Sequence, residues 1–329
     1  MRSDLITVSR MRDFNSCRRL HQIRYELGFR ALHDSDALSF GTLLHVGLEE
    51  WWKTKGNIDR AVEAMDAKPG DADEVAMVKA VALMQGYHAR WLSELEDLEV
   101  LGVEVEFQTR VRNPSTGYPC HDLEVGGKMD VIVRRRSTGK VWFIEHKSSS
   151  EDLAAGSEYW QRLRMDPQVS VYHDGMRVLG YEPEGCIYDV ISKLQERPKK
   201  ATAEASRKYT KDGKLYANQR ADDETMDEFW ARVAAKIAES PDSYFGRVEV
   251  VRTEIELTES QRDVHSTALM MRDESRLGRS PRNPSHCFHY GSTCEMFDVC
   301  SGCASLDDET RFKRLDSVHP ELAGHTIQG

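Results

Sequence analysis

Residues 126–149 carry charged side chains at the ends of two hydrophobic segments. The sequence reads GGKMDVIVRRRSTGKVWFIEHKSS, in which Asp130 follows two glycines, and Glu145 and Lys147 follow the apolar run 141–144. A carboxylate on a buried strand costs several kcal/mol unless it is paired or binds a cation. Asp130 and Glu145 therefore need an explanation in chemistry or in pairing.

A hairpin over 126–149 would let Asp130 and Glu145 face one pocket. Lys147 lies two residues after Glu145, so both side chains leave the same face of their strand. Two acids and a lysine in one pocket are suited to a hard divalent cation, with the ammonium placed to stabilise developing negative charge. The residue pattern alone leaves open a buried salt bridge between Lys147 and either acid.

Cysteines form a second candidate site near the end of the sequence. Four of the seven cysteines stand at positions 287, 294, 300 and 303. In a reducing compartment such a concentration of thiolates favours zinc or an iron–sulfur cluster over disulfides. A zinc site formed by Cys287, Cys294, Cys300 and Cys303, with His286 or His289 in reserve, is one alternative. Cys120 and Cys186 lie near predicted strands and are expected to be buried small hydrophobic residues.

Composition limits the class of protein. The chain has 329 residues, of which 40% are hydrophobic and 30% charged, as in a folded protein of one elaborated domain or two. No apolar run could span a bilayer and no signal peptide is visible, so a cytoplasmic location is expected. The net charge of −10 argues against coating nucleic acid through bulk charge.

A local excess of basic residues interrupts this acidic background. The segment PKKATAEASRKYTKDGK has few large apolar residues, so it reads as an exposed loop. Its cations can be simply solvated or can form a flap that contacts phosphates. The residues predicted to bind DNA in the second case are Lys199, Lys200, Arg207 and Lys208.

Hydrophobic periodicity predicts an α/β core with a helical insertion near the N-terminus. The predicted helices are 40–53, 73–95, 159–180, 222–239 and 258–277. Thr258 and Gln261 have the spacing of a capping box at the start of the last helix. The predicted strands are 103–111, the two arms of the hairpin 126–149, then 185–193 and 247–257.

Taken in chain order, these segments resemble the RecB-type branch of the PD-(D/E)XK nuclease superfamily. The hairpin is similar to that family's core, in which an aspartate on one strand is followed by E-x-K on the next. SRMRDFNSCRRLHQIRY resembles the family's opening segment, and the resemblance runs from about Ser9 to Cys303. The other matching motifs are the G-x3-H-x3-E helix at Gly41, His45 and Glu49, and the Q-x3-Y helix at Gln168 and Tyr172.

The resemblance implies a restriction-endonuclease-like fold, with a mixed central sheet flanked by helices, and a Mg²⁺- or Mn²⁺-dependent DNA exonuclease. The implied metal ligands are His45, Asp130, Glu145 and the backbone carbonyl of His146. Lys147 would position the attacking water and stabilise the transition state, while Gln168 and Tyr172 would contact the DNA strand. Glu49, Glu104 and Glu106 are candidates for outer contacts. The alternative is a nucleic-acid-binding protein with a zinc site and a degenerate nuclease core, but Asp130, Glu145 and Lys147 are all intact.

Some relatives of this branch, including the nuclease subunit AddB and the CRISPR adaptation exonucleases, hold a [4Fe–4S] cluster between one upstream and three downstream cysteines. By this resemblance the ligands are Cys17, Cys287, Cys294 and Cys300. Cys294-x5-Cys300 fits the family's spacing, whereas Cys287-x6-Cys294 departs from it, and Cys303 is the reserve ligand. Such a cluster would be structural, because it closes a loop that spans most of the chain.

The resemblance also implies the organisation and partners of the protein. A single nuclease domain is expected over 1–303, with a tail at 304–329. Its parts are a helical insertion (40–100), the catalytic core (103–193), the basic loop (194–221) and a cysteine-rich segment (281–303) that closes on Cys17. No G-x4-G-K-[ST] motif is present, so the chain acts alone or with a helicase or recombination partner on DNA ends or single strands. Recombination, repair or replication is the implied setting, in a phage among others, with the host cytoplasm as location. The oligomeric state is not predicted.

Overall fold

The computed structural model describes residues 4–32, 36–68, 73–289 and 292–322. Its helices are α1 (Val8–Ser16), α2 (Arg18–His21), α3 (Asp36–Lys53), α4 (Ile58–Asp66), α5 (Glu74–Trp91), α6 (Glu158–Arg164), α7 (Pro167–Val178), α8 (Met226–Glu239), α9 (Glu254–Ser275) and α10 (Phe297–Ser301). Its strands are β1 (Asp4–Ile6), β2 (Phe29–Ala31), β3 (Leu98–Arg112), β4 (Pro119–Arg135), β5 (Val141–Ser149), β6 (Pro183–Ser192), β7 (Phe245–Val250), β8 (Phe288–His289), β9 (Ser292–Thr293) and β10 (Phe312–Arg314).

A mixed six-stranded sheet forms the centre of the molecule. Its order is β1-β4-β5-β6-β7, with β3 paired antiparallel along the other edge of β4. The β4–β5 hairpin is antiparallel, while β5 and β6 run parallel and are joined through α6 and α7. The predicted fold class, a mixed sheet flanked by helices, is confirmed.

The sheet is covered on both faces, which is why β4 and β5 are hydrophobic along much of their length. One core lies between the sheet and helices α3, α5 and α8, and it contains the fully buried Trp51, Trp52 and Tyr87. The second core lies between the sheet and helices α1, α7 and α9, and it contains Phe143 and Tyr172. Among the described residues, no helix is both long and apolar enough to cross a membrane.

The predicted helix 159–180 is two helices, α6 and α7. The break lies at Asp166, whose backbone is extended (φ −65°, ψ 120°) and whose side chain accepts a hydrogen bond from the Gln168 N–H. Pro167 causes the break, since it disfavours a helical conformation in the residue before it and is well placed in the first turn of a helix. As a result, Gln168 stands at the N-terminal end of α7.

The predicted boundary between strand 247–257 and helix 258–277 is wrong. Strand β7 ends at Val250, and α9 begins at Glu254 with a capping box between Thr253 and Glu256. Thr258 lies inside the helix and donates its hydroxyl hydrogen to the Glu254 carbonyl at 2.8 Å. The sequence contains two stretches with similar capping spacing, and the earlier one starts the helix.

The two ends of the described chain pack on each other. Helix α1 was not predicted, and the segment after it is tied to the C-terminal part by the Arg24–Glu295 ion pair at 2.7 Å. Strand β10 pairs antiparallel with β2. Residues 304–322, predicted as part of a tail, therefore pack on the N-terminal segment, while 323–329 lie outside the described residues.

A buried ion pair joins β6 to β7 behind the hairpin. Asp189 is fully buried, and its Oδ2 accepts hydrogen bonds from Arg247 Nη2 (2.8 Å) and the Tyr87 hydroxyl (2.5 Å). Burial opposes ionisation of Asp189, but the Arg247 guanidinium outweighs it and lowers the pKa of that carboxyl. The pair therefore stays charged, and removal of either partner leaves an uncompensated buried charge.

Arg247→Met should destabilise the folded protein by about 3 to 5 kcal/mol, as expected when one member of a buried pair is lost. The free energy of unfolding, measured by urea titration, tests this expectation. The control is Arg60→Met, since the Arg60 side chain is 60% exposed; it should change stability by less than about 0.5 kcal/mol. Equal shifts for the two variants would contradict a structural role for the Arg247 pair.

Candidate active site

Asp130 and Glu145 face each other where the β4–β5 ladder ends. The last paired residues at this end are Val131 and Ile144, so Asp130 and Glu145 are the next residues on the facing strands. The His146 N–H donates to Asp130 Oδ2 at 2.7 Å, so this side chain replaces a main-chain acceptor at the end of the ladder. The structure thus brings together the two predicted acids.

Lys147 completes a hydrogen-bonded group with Glu145 and Gln168. Its ammonium donates to Glu145 Oε1 at 2.7 Å and to Gln168 Oε1 at 2.8 Å. The Gln168 amide donates in turn to Glu145 Oε1 at 2.7 Å. Burial opposes the charge on Lys147, but the adjacent Glu145 carboxylate outweighs it and raises the pKa of the ammonium. Lys147 is therefore held protonated and in a fixed position beside both acids.

The second oxygen of Glu145 is the strongest sign that a cation belongs here. Glu145 is only 5% exposed, and its Oε2 has no hydrogen-bond partner among the described residues. An unsatisfied buried carboxylate oxygen is costly, and a bound cation would remove that cost. The donor set fits Mg²⁺ or Mn²⁺, which prefer carboxylate and carbonyl oxygens with few protein ligands.

His45 approaches the same acids from α3. Its Nδ1 lies 3.9 Å from Asp130 Oδ1. Burial lowers the pKa of His45, so its ring is neutral near pH 7, as a metal ligand must be. The His146 ring is directed instead toward Asp189, with Nδ1 3.4 Å from Oδ2. Only the main chain of His146 thus contacts Asp130.

The side chains of His45, Asp130 and Glu145 lie near one another but are not arranged around one metal position. Among the described residues, no group of three or more His, Cys, Asp or Glu side chains is arranged to hold a metal ion. At the candidate active site one reason is visible, since Glu145 Oε1 is shared by Lys147 and Gln168. The predicted ligands His45, Asp130 and Glu145 are neighbours, and their role as ligands stays a prediction.

The surroundings of Asp130 disfavour its ionised carboxylate form. Burial, followed by the nearby Glu145 carboxylate, raises the pKa of Asp130 above its ordinary value of 3.8. Two carboxylates this close repel each other unless a cation or a proton is shared between them. In the metal-free protein, Asp130 therefore carries a proton at pH values where an exposed aspartate would have lost it.

Asp130→Asn should raise the melting temperature of the metal-free protein near pH 8 by roughly 3 to 8 °C. Because the folded-state pKa of Asp130 is raised, its protonated form favours folding below the unfolded-state pKa. That contribution is lost as pH rises toward the folded-state pKa. The gain from the neutral amide should consequently shrink at about pH 5.

Thermal melts in EDTA across this pH range test the prediction. Asp97→Asn is the control, because Asp97 is an exposed carboxylate that accepts from Ser137 and should show no gain. A lower melting temperature for Asp130→Asn than for wild type near pH 8 would show that the carboxylate stabilises the metal-free fold instead.

Gln168 and Tyr172 occupy different environments although both belong to the predicted Q-x3-Y helix. Gln168 bonds the side chains of Glu145 and Lys147. Tyr172 is 7% exposed and packs edge-on against Phe107, with its ring close to Gly127. Burial raises the pKa of its hydroxyl well above the usual range. Tyr172 supports the wall of the site, and its contact with DNA stays a prediction.

The basic loop begins beside the active site. The Lys193 N–H donates to the Ser149 carbonyl at 2.7 Å, which ties the loop to the end of β5. Arg207 donates to the carbonyls of Thr202 and Ala221, so it holds the loop together. Lys200 forms an ion pair with Asp223, whereas Lys199 and Lys208 are exposed.

The sequence motifs did not predict a role for Lys128, which lies close to Asp130. Lys128 stands two positions before Asp130, and it forms an ion pair with Glu104 on β3. Burial opposes its charge, but Glu104 outweighs it and raises the pKa of the ammonium. A basic residue two positions before a catalytic acid was the available signal, because such residues share a strand face.

The four predicted cluster cysteines meet at one place. Cys17, Cys287, Cys294 and Cys300 line a single cavity, whose other walls include Leu20 and Met296. Cys303 is exposed and does not line it. Burial and, more weakly, the neighbouring thiols raise the pKa of Cys294 and Cys300.

Four thiols that line one cavity are a donor set of the kind used for an iron–sulfur cluster or for zinc. In the described part of the chain, however, these cysteines are not arranged closely enough around one point to hold a metal ion. Of the two cysteines expected to be buried, Cys186 is fully buried and Cys120 is partly exposed. The reserve zinc ligand His286 lines the cavity, whereas the side chain of His289 lies outside the described residues.

Comparisons with known proteins place the chain in a family. A sequence model of the PD-(D/E)XK nuclease superfamily matches residues 5–301. No curated protein matches the chain. Among solved structures, one described as a "Putative exonuclease" from Eubacterium rectale is 13% identical, with 98% of this chain and 94% of that chain covered and a TM-score of 0.45. A crystal structure of SSO0001 is 13% identical, with coverage of 82% and 78% and a TM-score of 0.32. The family match spans the hairpin 126–149, the helices around it and every cysteine except Cys303, and the chain belongs to the PD-(D/E)XK nuclease superfamily.

Proposed function

We propose that the protein is a metal-dependent deoxyribonuclease that digests DNA from its ends. The observation that carries this proposal is the grouping of Asp130, Glu145, Lys147 and Gln168 at the open end of one hairpin. Glu145 Oε2 adds a position for a cation, since this oxygen has no hydrogen-bond partner within the described ranges. The preference for ends rests on the resemblance to the RecB-type branch.

Each residue of the site has a separate proposed role in the reaction. Asp130, Glu145, the His146 carbonyl and neutral His45 would hold a Mg²⁺ or Mn²⁺ ion. When bound, this ion would polarise the phosphodiester and make a water more acidic. Lys147 presents a fixed positive charge beside Glu145, where it can orient the attacking water and stabilise negative charge in the transition state. Gln168 fixes the position of the Lys147 ammonium relative to the Glu145 carboxylate, because it bonds both groups.

We also propose a [4Fe–4S] cluster on Cys17, Cys287, Cys294 and Cys300, with zinc as the alternative. Support comes from the shared cavity and from the exclusion of Cys303 from its lining. The cluster would fasten the segment after α1 to the segment before α10. Its role is structural, because the cavity and the active site are formed by different parts of the chain.

The proposed setting is DNA recombination, repair or replication in the cytoplasm, or in the host cytoplasm for a phage-encoded protein. The sequence lacks a Walker-type phosphate-binding motif, so unwinding would require a separate helicase or recombination partner. Without such a partner, single-stranded ends are the expected substrate.

Digestion of labelled DNA tests the proposed function. Protein purified without air would be incubated with linear single-stranded, linear double-stranded and covalently closed circular DNA, each with Mg²⁺, Mn²⁺ or EDTA. The expected result is metal-dependent shortening of linear strands with circles left intact. Cutting of circles would establish an endonuclease. Binding without cutting under every metal would favour the alternative, a nucleic-acid-binding protein with a degenerate core.

A further inference from the structure

A second lysine stands near Asp130 on β4. Lys128 and Asp130 are two residues apart, so on a regular strand their side chains leave the same face. Strand β4 lies between β3 and β5. Lys128 is held by Glu104 on β3, whereas Lys147 on β5 is held by Gln168 on α7. The Lys128 side chain is 31% exposed, and its ammonium forms an ion pair with Glu104.

Glu104 has an unusual backbone for a glutamate. Its φ is +55°, in the left-handed region that non-glycine residues seldom adopt. The β3–β4 register shifts between Val100 and Gly102, just before this residue. The glutamate directly across from Lys128 is Glu106, yet the ion pair is made by the strained Glu104. Such strain persists where the surrounding structure fixes it, often at functional sites.

The Glu104 side chain is 14% exposed and that of Lys128 is 31% exposed, so solvent reaches the pair mainly at the lysine. A partly exposed ammonium beside the catalytic acids can exchange a carboxylate for a phosphate, since lysine binds either as a point charge. Lys147 is engaged with Glu145 and Gln168 and serves the phosphate that is cut. Lys128 is held instead toward β3, where a different phosphate of the same DNA strand would pass.

We propose that Lys128 binds the DNA backbone phosphate next to the one that is cut, and that it leaves Glu104 to do so. This inference rests on the proposed nuclease function and adds a substrate-binding residue to it. Glu104 would hold the ammonium in place before DNA arrives and would compete with the phosphate afterwards. This exchange favours DNA strands whose neighbouring phosphate lies within reach of Lys128.

Salt-dependent DNA binding tests the role of Lys128. The variants are Lys128→Gln and, as a matched control, Lys140→Gln, whose lysine pairs with Glu184 at the other end of the hairpin. Binding of a fluorescein-labelled single strand would be followed by anisotropy, with Ca²⁺ replacing the catalytic metal. Lys128→Gln should reduce the slope of log affinity against log salt by about 0.7 and weaken binding about fivefold at 0.1 M salt. KM should rise by a similar factor while kcat changes less than about twofold, and Lys140→Gln should match wild type.

Glu104→Gln distinguishes the proposed movement of Lys128 from Glu104 to a phosphate from simple repulsion between Glu104 and DNA. In the wild-type background the neutral amide should tighten DNA binding severalfold, because Lys128 no longer has a competing partner. In the Lys128→Gln background the same substitution should have no effect. Equal tightening in both backgrounds, or an unchanged slope and KM for Lys128→Gln in an enzyme that cuts DNA, would overturn the proposal for Lys128. Failure of wild-type protein to cut DNA with any metal would instead overturn the nuclease function.

Discussion

Lys147→Ala should lower kcat for DNA cleavage by about three orders of magnitude. Removal of one preorganised donor at a developing charge typically costs 10²- to 10³-fold, and loss of a residue that also orients the water adds to this. The structure supports a large effect, since Lys147 is the group that donates to both Glu145 and Gln168. Its loss leaves the Glu145 carboxylate with the Gln168 amide but without the adjacent positive charge.

The fold should survive this substitution, because the Lys147 side chain is 26% exposed and lies at the end of a strand. Single-turnover cleavage of a labelled linear single strand measures the effect, with circular dichroism as the check on folding. Lys140→Ala is the control on the same hairpin and should retain activity. A loss of less than about tenfold would mean that Lys147 forms a structural salt bridge to Glu145 and does not act in catalysis.

The hairpin was predictable because its signal is local. A charged side chain beside hydrophobic residues on a strand is costly to bury, and Asp130, Glu145 and Lys147 are three such residues within 18 positions of sequence. Strand pairing then follows from a short turn, and opposing positions follow from the register. The structure places these three side chains together as the sequence predicted.

Local sequence patterns did not predict the structure in two situations. In one, two similar patterns competed; in the other, the interacting residue was distant in sequence. Thr253 and Thr258 both begin capping-box spacings, and the sequence does not say which one starts α9. The buried pair between Asp189 and Arg247 joins residues 58 positions apart, and neither residue stands in a distinctive motif. Such a pair depends on β6 lying beside β7, which is a property of the whole sheet.

The environment of Lys128 could not be predicted for a different reason. Its partner is chosen by the left-handed backbone of Glu104 and by the register shift before it. Regular alternation along β3 would assign Lys128 to Glu106. An irregularity in one strand thus changed the pairing of a charged residue on the next, and sequence periodicity carries no information about it.

The cysteine spacing left two candidates for the last cluster ligand, and the fold separates them. Cys300 lines the cavity shared with Cys17, whereas Cys303 follows α10 and is exposed. Helix α10 ends at Ser301, and the next residue, Gly302, caps it with a left-handed backbone (φ +83°). This turn carries Cys303 away from the cavity. We therefore expect Cys303 not to be a ligand, and its serine variant serves as the control for a variant of a cavity cysteine.

Cys294→Ser should abolish the brown colour of anaerobically purified protein and lower its melting temperature by roughly 10 °C, whereas Cys303→Ser should do neither. A crosslink between Cys17 and the C-terminal cysteines closes a loop of most of the chain, and the model for such crosslinks gives about 4 kcal/mol. Loss should loosen the ends without unfolding the sheet. The segments remain joined by Asn283, which donates to the Ser16 carbonyl at 2.7 Å, and by the Arg24–Glu295 pair.

Three measurements on the same samples separate the possible cofactors. Iron and sulfide content with absorbance near 400 nm would identify a cluster, bound zinc in a colourless protein would identify the zinc alternative, and limited proteolysis would report on the chain ends. Because the proposed cluster has a structural role, Cys294→Ser should expose the ends to protease while DNA cleavage by the remaining folded core persists at low temperature. Equal colour and melting temperature in Cys294→Ser and wild type would remove the cavity as a metal site, since a buried thiol that ligates nothing can be replaced by a hydroxyl at far smaller cost.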